Sequence, residues 1–293
     1  MVWLITGASG QLGLAMQREL STRGINFIAA NSRELDITSQ NSVESVLLRN
    51  SPKVIVNCAA WTDVDLAEIK QEQAYSVNAL GVKFVALASK RIGAKLVHVS
   101  TDYVFSGVGD SPWLESAERD PASIYGLSKR EGENFVQEIY GENSFVVRTA
   151  WLYSENGKNF AKTMANLALT DEREVRVVND QIGQPTSAND LAQQIVDLVE
   201  SKSTHGIYHG TSSGQATWFE FAQKIFELIG ANTERVVPVS SDEFQRLAKR
   251  PRYSVLGHDN WRKSELPEMR DWRLALADEI PRILFTQRQD RQP

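Results

Sequence analysis

Short apolar runs alternate, through the first half of the chain, with longer stretches whose apolar residues recur every three or four positions. The runs "VWLIT" (2–6), "NFIAA" (26–30), "KVIVNCA" (53–59), "AKLVHVS" (94–100) and "SFVVRTA" (144–150) predict buried strands. The patterns near 11–23, 40–50, 72–92 and 124–140 predict the helices between them. Strict alternation implies right-handed βαβ crossovers and a parallel sheet covered on both faces. The expected class is therefore α/β, a doubly wound parallel sheet.

That regularity fades after about residue 150. There "REVRVVNDQIGQPTS" and "HGIYHGTSSG" read as isolated strands and loops between helices. One helix is expected from Thr217, where "TWFE" is a capping box with Glu220 three residues on. Its apolar positions, Trp218, Phe221, Ala222, Ile225, Phe226 and Ile229, form a single stripe. The closing "TQRQDRQP" is polar and is expected to be a loose tail. The expected division is a domain at 1–150, joined by part of 187–215, and a smaller interleaved lobe made mainly from 151–293.

Composition removes several classes of function. With 293 residues, 42% of them hydrophobic, the chain can bury a full core. A net charge of -5 gives no long-range attraction for nucleic acid or an anionic membrane, so neither is expected as a partner. No apolar run approaches the roughly 18 residues of a membrane span, and "MVWLITGASG" lacks the start and cleavage site of a signal peptide. Cys58 is the only cysteine, which points to a reducing, cytoplasmic compartment. Four scattered histidines show no metal-ligand spacing, and no metal site is expected.

Candidate chemistry starts at Gly7-Ala-Ser-Gly10-Gln11-Leu12-Gly13, which directly follows the first strand and opens the first helix. Glycines there permit a tight turn, and the helix N-terminus offers free N–H groups and partial positive charge to a pyrophosphate. The spacing is G-x-x-G-x-x-G, and its context predicts a Rossmann-type dinucleotide site. Past the second strand, "NSREL" offers Arg33 where an NAD-selective site usually carries an acid. A guanidinium suits the 2′-phosphate of NADPH, with NADH as the alternative; Arg33 reads almost equally well as a solvated loop residue. Asp36-Ile37 would flank an adenine ring, and Ala60-Trp61-Thr62 would run along the cofactor.

Tyr125 and Lys129 stand four residues apart in a predicted helix, on one face. A nearby ammonium favours the phenolate, making the tyrosine a better proton shuttle, and Lys129 can also hold ribose hydroxyls. Ser100-Thr101-Asp102 close the fourth predicted strand, and ligands of open α/β sheets bind at such carboxyl ends. Thr101 can hydrogen-bond the carbonyl oxygen that Tyr125 protonates; alone, Thr101 and Asp102 would read as turn caps. Trp151 is a large amphipathic ring past a strand end, suited to stacking on a sugar or base or to filling the junction between lobes.

Gly7/Gly10/Gly13, Thr101, Tyr125 and Lys129 together resemble the extended short-chain dehydrogenase/reductase superfamily. The strings "TGASGQLG", "VNCAAWTDVDLAE", "VHVSTDYVFSG", "YGLSKREGE", "VVRTAWLY", "NFAKTM" and "VNDQIGQPT" narrow the likeness to the dTDP-4-dehydrorhamnose reductase family, weakening after about residue 235. "RPRYSVL" (250–256) resembles that family's late Arg-Pro segment. The resemblance implies NAD(P)H-dependent reduction of the C4 keto group of dTDP-4-dehydro-L-rhamnose to dTDP-L-rhamnose. It assigns Tyr125 as acid, Lys129 as tuner and ribose ligand, and Thr101 as second hydroxyl. Thr101, Asp102, Tyr125 and Trp151 would meet the dTDP-linked 4-keto-6-deoxyhexose; Gly10, Gln11, Leu12, Asp36, Ile37, Ala60, Trp61 and Thr62 would line the cofactor.

Two departures matter. Tyr103 follows Thr-Asp where nucleotide-sugar dehydratases carry a working Glu, which counts against dehydration. Ala15 stands where some relatives carry a Glu that supports a magnesium-bridged dimer, so a monomer or weak homodimer is expected. Competing readings are a reductase of another nucleotide-linked 4-keto sugar and a non-catalytic subunit like the regulatory subunit of methionine adenosyltransferase. A pure binding role would not need Tyr125, Lys129 and Thr101 together. Lys249, Arg250 and Arg252 could meet a substrate diphosphate or be a solvated surface.

Overall fold

The computed structural model describes residues 1–289. Its first half alternates β1 (Val2–Thr6), α1 (Gln11–Thr22), β2 (Asn26–Ala30), α2 (Gln40–Asn50), β3 (Val54–Asn57), α3 (Val64–Ile69), α4 (Gln71–Tyr75), α5 (Val82–Ile92), β4 (Lys95–Thr101), α6 (Ile124–Tyr140) and β5 (Ser144–Thr149). The second half carries short strands β6 (Leu152–Tyr153), β7 (Val175–Val178), β8 (Ile182–Gly183) and β9 (Thr186–Ser187), with α7 (Phe160–Thr170) among them. Then follow α8 (Ala188–Glu200), β10 (Gly206–His209), β11 (Ala216–Thr217), α9 (Trp218–Ile229), β12 (Val236–Val239), α10 (Asp259–Lys263) and α11 (Trp272–Gln289).

One parallel sheet of order β10-β5-β4-β3-β1-β2 forms the centre. Strand alternation explains why both faces are covered. Trp3, Ile5, Val56, Val97 and Val147 point to the layer that holds α1 and α8. Leu4, Ile55, Leu96 and Val146 point to the opposite layer, against Val43 and Leu47 of α2, Val85 of α5 and Val136 of α6. Each such fully buried aliphatic contributes about 1.5–3 kcal/mol. α8 and β10 thus return from the second half of the chain to the first domain's layers. Residues of α7, β7, α9, β12 and α11 enclose a separate apolar core of the small lobe, around Phe221, Phe226, Trp272 and Ile283.

Three local expectations change. The helix expected over 72–92 is broken: α4 gives way to a π-helical stretch, Ser76–Gly81, before α5 begins. Asn78 is the reason visible there, since its buried amide accepts from the Trp61 N–H at 2.8 Å and donates to the Trp61 carbonyl at 3.0 Å and to Ser128 Oγ at 3.1 Å. α3 stands where no helix is expected, started by Asp63, whose carboxylate accepts from the Leu66 N–H. The tail is not loose at its start: α11 runs through Gln289, and Gln287 donates to the Lys162 carbonyl at 2.7 Å. The rest of the expected tail, 290–293, lies outside the described residues. Among the described residues no helix is long and apolar enough to cross a membrane.

Candidate active site

The sheet order reverses at β1, with β2 on one side and β3 on the other, so a crevice opens at the carboxyl ends of the strands. A cavity of about 840 Å³ occupies that crevice and continues under the small lobe. It is lined by Gly7, Gly10, Gln11, Leu12 and Gly13, by Asp36 and Ile37, by Ala60 and Thr62, and by Thr101, Asp102, Tyr125, Lys129 and Trp151. Segments as far apart in sequence as Gly7 and Trp151 therefore meet in one space.

The glycine loop forms its floor at one end. Gly10 is the N-cap of α1 and supplies no side-chain acceptor to the first turn. A Cβ on Gly13 would overlap the Gly7 carbonyl oxygen and the Ala8 backbone, so only glycine lets the helix start this close to the loop.

α6 carries the candidate proton donor Tyr125 and its neighbour Lys129. Ser123 caps it by accepting from the Gly126 N–H at 3.1 Å, and Gly126 packs so tightly on the Tyr103 carbonyl that a Cβ there would overlap it. This close packing sets Tyr125 in the first turn, beside the end of β4. Tyr125, Lys129 and Glu133 follow at four-residue steps along one face of the helix. Tyr125 is 9% and Lys129 2% exposed, so both act in a largely dry environment.

Burial pushes the Tyr125 phenol well above its ordinary pKa; hydrogen bonding with Thr101 pulls it back, while Asp102 and Tyr103 push it further up. Lys129 Nζ donates to the Val99 carbonyl at 2.6 Å. Burial lowers the Lys129 pKa to about 8, against the opposing pull of Glu133 and Cys58. Cys58, on the same cavity wall, is pushed by burial up to about 12, which favours its thiol form.

Asp102 is buried, and burial raises its carboxyl to about 6 against hydrogen bonding from Ser254 and Thr101. Thr101 Oγ1 donates to Asp102 Oδ1 at 2.9 Å, while Oδ2 has no well-formed hydrogen bond of its own. Tyr103 lies edge-on to Tyr125, ring centroids 5.5 Å apart.

Beneath these groups runs a buried ion pair. Arg148 of β5 binds Glu133 through two bonds, Nε to Oε1 at 2.9 Å and Nη2 to Oε2 at 2.8 Å. Burial raises the Glu133 carboxyl, but Arg148, Ser100 and Arg119 more than offset it and hold it below the usual range. His98, buried beside Lys129, is kept neutral by burial and by that ammonium.

At the other end the lining is aromatic. Trp151 has φ 47, a left-handed backbone rare for a large side chain. Its ring stacks on Trp218 with centroids 3.5 Å apart and planes 9° from parallel. Gly183 lies against the opposite side, where a Cβ would meet the indole at 2.5 Å. Trp151 is thus both a packed junction residue and part of the cavity wall.

Two expected residues are not brought in. Trp61 is outside the lining, its indole N–H donating to the Asp63 carbonyl at 3.0 Å and its ring packing with Ala67, Ala74 and Tyr125. Arg33 is exposed and outside the lining, although its neighbour Ser32 is part of it. Nor do Lys249, Arg250 and Arg252 line the cavity: Arg250 is held by Asp65 at 2.8 Å and by the Tyr103 hydroxyl at 3.2 Å. Sequence reasoning missed Asn78, Lys158 and the cavity role of Trp218. An asparagine inside the apolar helical pattern "SVNALG" was the one available signal, for Asn78.

Known proteins are similar to this chain over most of its length. Residues 1–284 match the family described as RmlD substrate binding domain. A dTDP-4-keto-6-deoxy-D-glucose reductase of Streptomyces niveus is 45% identical over 281 residues, 95% of this chain and 96% of that one. A dTDP-4-dehydrorhamnose reductase of Streptomyces griseus is 42% identical, covering 96% and 93%. The crystal structure of a dTDP-4-dehydrorhamnose reductase from Bacillus anthracis, in complex with NADP, superposes with a TM-score of 0.91 at 41% identity, covering 96% and 98%.

Proposed function

The chain belongs to the RmlD substrate binding domain family, and we propose that it reduces the C4 keto group of dTDP-4-dehydro-L-rhamnose with NADPH, giving dTDP-L-rhamnose. One observation carries this reading: Tyr125, Lys129 and Thr101 share a cavity with the glycine loop. The residues present fit the coenzyme. The uncapped first turn of α1 leaves its N–H groups for a pyrophosphate, and the glycine-only contact at Gly13 keeps them close to the loop. Asp36 and Ile37 would hold the adenosine end, Ala60 and Thr62 the middle, and Lys129 the nicotinamide ribose.

Bound NADPH supplies the hydride that reaches the C4 carbon. Tyr125 gives its proton to the C4 oxygen, so ketone, hydride and proton become the secondary alcohol. A phenol held above its ordinary pKa is neutral at pH 7 and stands in the proton-giving form that reduction needs. Thr101 hydrogen-bonds the same oxygen as negative charge grows on it. Asp102, Trp151 and the Trp218 ring would bound the sugar nucleotide.

A second reading, reduction of dTDP-4-keto-6-deoxy-D-glucose, is favoured by the Streptomyces niveus relative of that name. Oxidation of NADPH against a panel of nucleotide-linked 4-keto sugars separates the two. Turnover with dTDP-4-dehydro-L-rhamnose well above the other sugars is expected; faster turnover of the D-glucose derivative would transfer the assignment. No NADPH oxidation with any of them would overturn the reductase reading. A cytoplasmic site of action and a monomer or weak homodimer complete the proposal; the free thiol Cys58 supports the first, and sedimentation velocity tests the second.

A further inference from the structure

We infer that Lys158, on the loop leading into the small lobe, binds the pyrophosphate of the coenzyme. This rests on the reductase reading and adds a residue to its site. A dinucleotide brings a doubly charged pyrophosphate, yet among the residues lining the cavity only Lys129 and Lys158 are cationic. Lys129 is buried at the other end, beside Val99 and Tyr125, with its amine on the Val99 carbonyl. Lys158 is exposed, and among the described residues it has no ion pair and no hydrogen bond. Among the described residues it is the one exposed cation lining this space.

Its backbone is pinned to the glycine loop from both sides. Asn159 Nδ2 donates to Gln11 Oε1 at 2.9 Å, and Ser154 Oγ donates to the same oxygen at 3.3 Å. On the other flank, Gly157 turns with φ 68 so close to Gln11 that a Cβ would lie 3.1 Å from Gln11 Cγ. Gln11 is the first residue of α1, the helix whose N-terminus faces the expected pyrophosphate. The residues before and after Lys158 therefore both rest on the residue that opens that helix. Asn159 also caps α7, accepting from the Lys162 N–H at 2.9 Å, so a second helix starts on the same side. An anion here would relieve the proximity of two partially positive helix ends.

A diphosphate also occurs in the sugar nucleotide, and contact with the Gln11 end rather than the Trp151 end assigns the lysine to the coenzyme. Dissociation constants of NADPH, NADH and dTDP for the parent, K158M and K158R test this. K158M should bind both coenzymes about tenfold more weakly, as loss of one charge-assisted contact does, and with a flatter dependence on salt. Binding of dTDP should be unchanged, and K158R should restore coenzyme affinity. Unchanged coenzyme binding in K158M, loss confined to NADPH, or loss confined to dTDP would each overturn the inference. A parent that binds neither coenzyme would instead bring down the reductase reading, and this inference with it.

Discussion

The coenzyme side of the cleft and its sugar side are assembled in different ways. On the coenzyme side, one strand-loop-helix unit and the ends of neighbouring strands supply nearly every wall, and each side chain is set by the buried sheet behind it. On the sugar side, contacts join distant parts of the chain. Trp151 meets Trp218, and Gly183 backs Trp151. The first arrangement follows from local rules of a parallel sheet; the second exists only after two lobes have packed. Chemistry common to many reductases can sit on the first, while recognition of one sugar depends on the second.

Substitutions can break or sharpen this contrast. Tyr125→Phe should lower kcat by about 10²–10⁴-fold, the usual worth of a positioned proton donor, with little change in thermal midpoint; parent-like turnover would remove Tyr125 from the chemistry. Glu133→Gln leaves Arg148 charged and unpaired in a dry interior. It should cost about 3–5 kcal/mol by urea unfolding, and a cost near zero would show the ion pair to be dispensable.

The same carboxyl sets an acid limb. Its folded pKa lies below the unfolded one, so its stabilisation is present above the unfolded pKa and is lost as pH falls through the folded value. Glu133→Gln should flatten that limb. For Lys129, with a pKa lowered to about 8, the ammonium is lost as pH rises through that value. Coenzyme affinity should fall about tenfold from pH 7 to 9, and Lys129→Met should abolish the trend.

On the sugar side, Trp218→Ala should raise KM for the sugar nucleotide about fivefold and leave NADPH affinity alone; an equal loss in both would erase the division of the cleft. The smallest change is expected from Arg33→Ala. This residue is exposed and outside the cavity lining, so a loss of about twofold for NADPH and none for NADH is the outcome consistent with a screened contact.

Legibility in the sequence follows the same divide. The five strands and α6 can be read because each is a continuous apolar or periodic segment, and α6 spans Ile124–Tyr140 where periodicity expects 124–140. The glycine loop, Thr101, Tyr125 and Lys129 are readable because each sits at a fixed offset from a strand or helix end. The break at Ser76–Gly81 is not, since periodicity cannot see that Asn78 must turn toward Trp61. Ala60 and Thr62 line the cavity, while the Trp61 ring between them packs with Ala67, Ala74 and Tyr125. Lys158 and Trp218 carry no local signal at all, because what makes them part of the cavity is tertiary contact.

Tyr125, Lys129 and Glu133 ride on a single helix whose glycines are pressed against other backbone: Gly126 on Tyr103 and Gly132 on Asn78. Close backbone contacts of this kind resist rolling and sliding of the helix, which holds the spacing of Tyr125 and Lys129. Mutations that reshape the small lobe can then try new sugars without disturbing the proton path. A fold of this kind separates what is catalysed from what is chosen, and leaves the second free to drift.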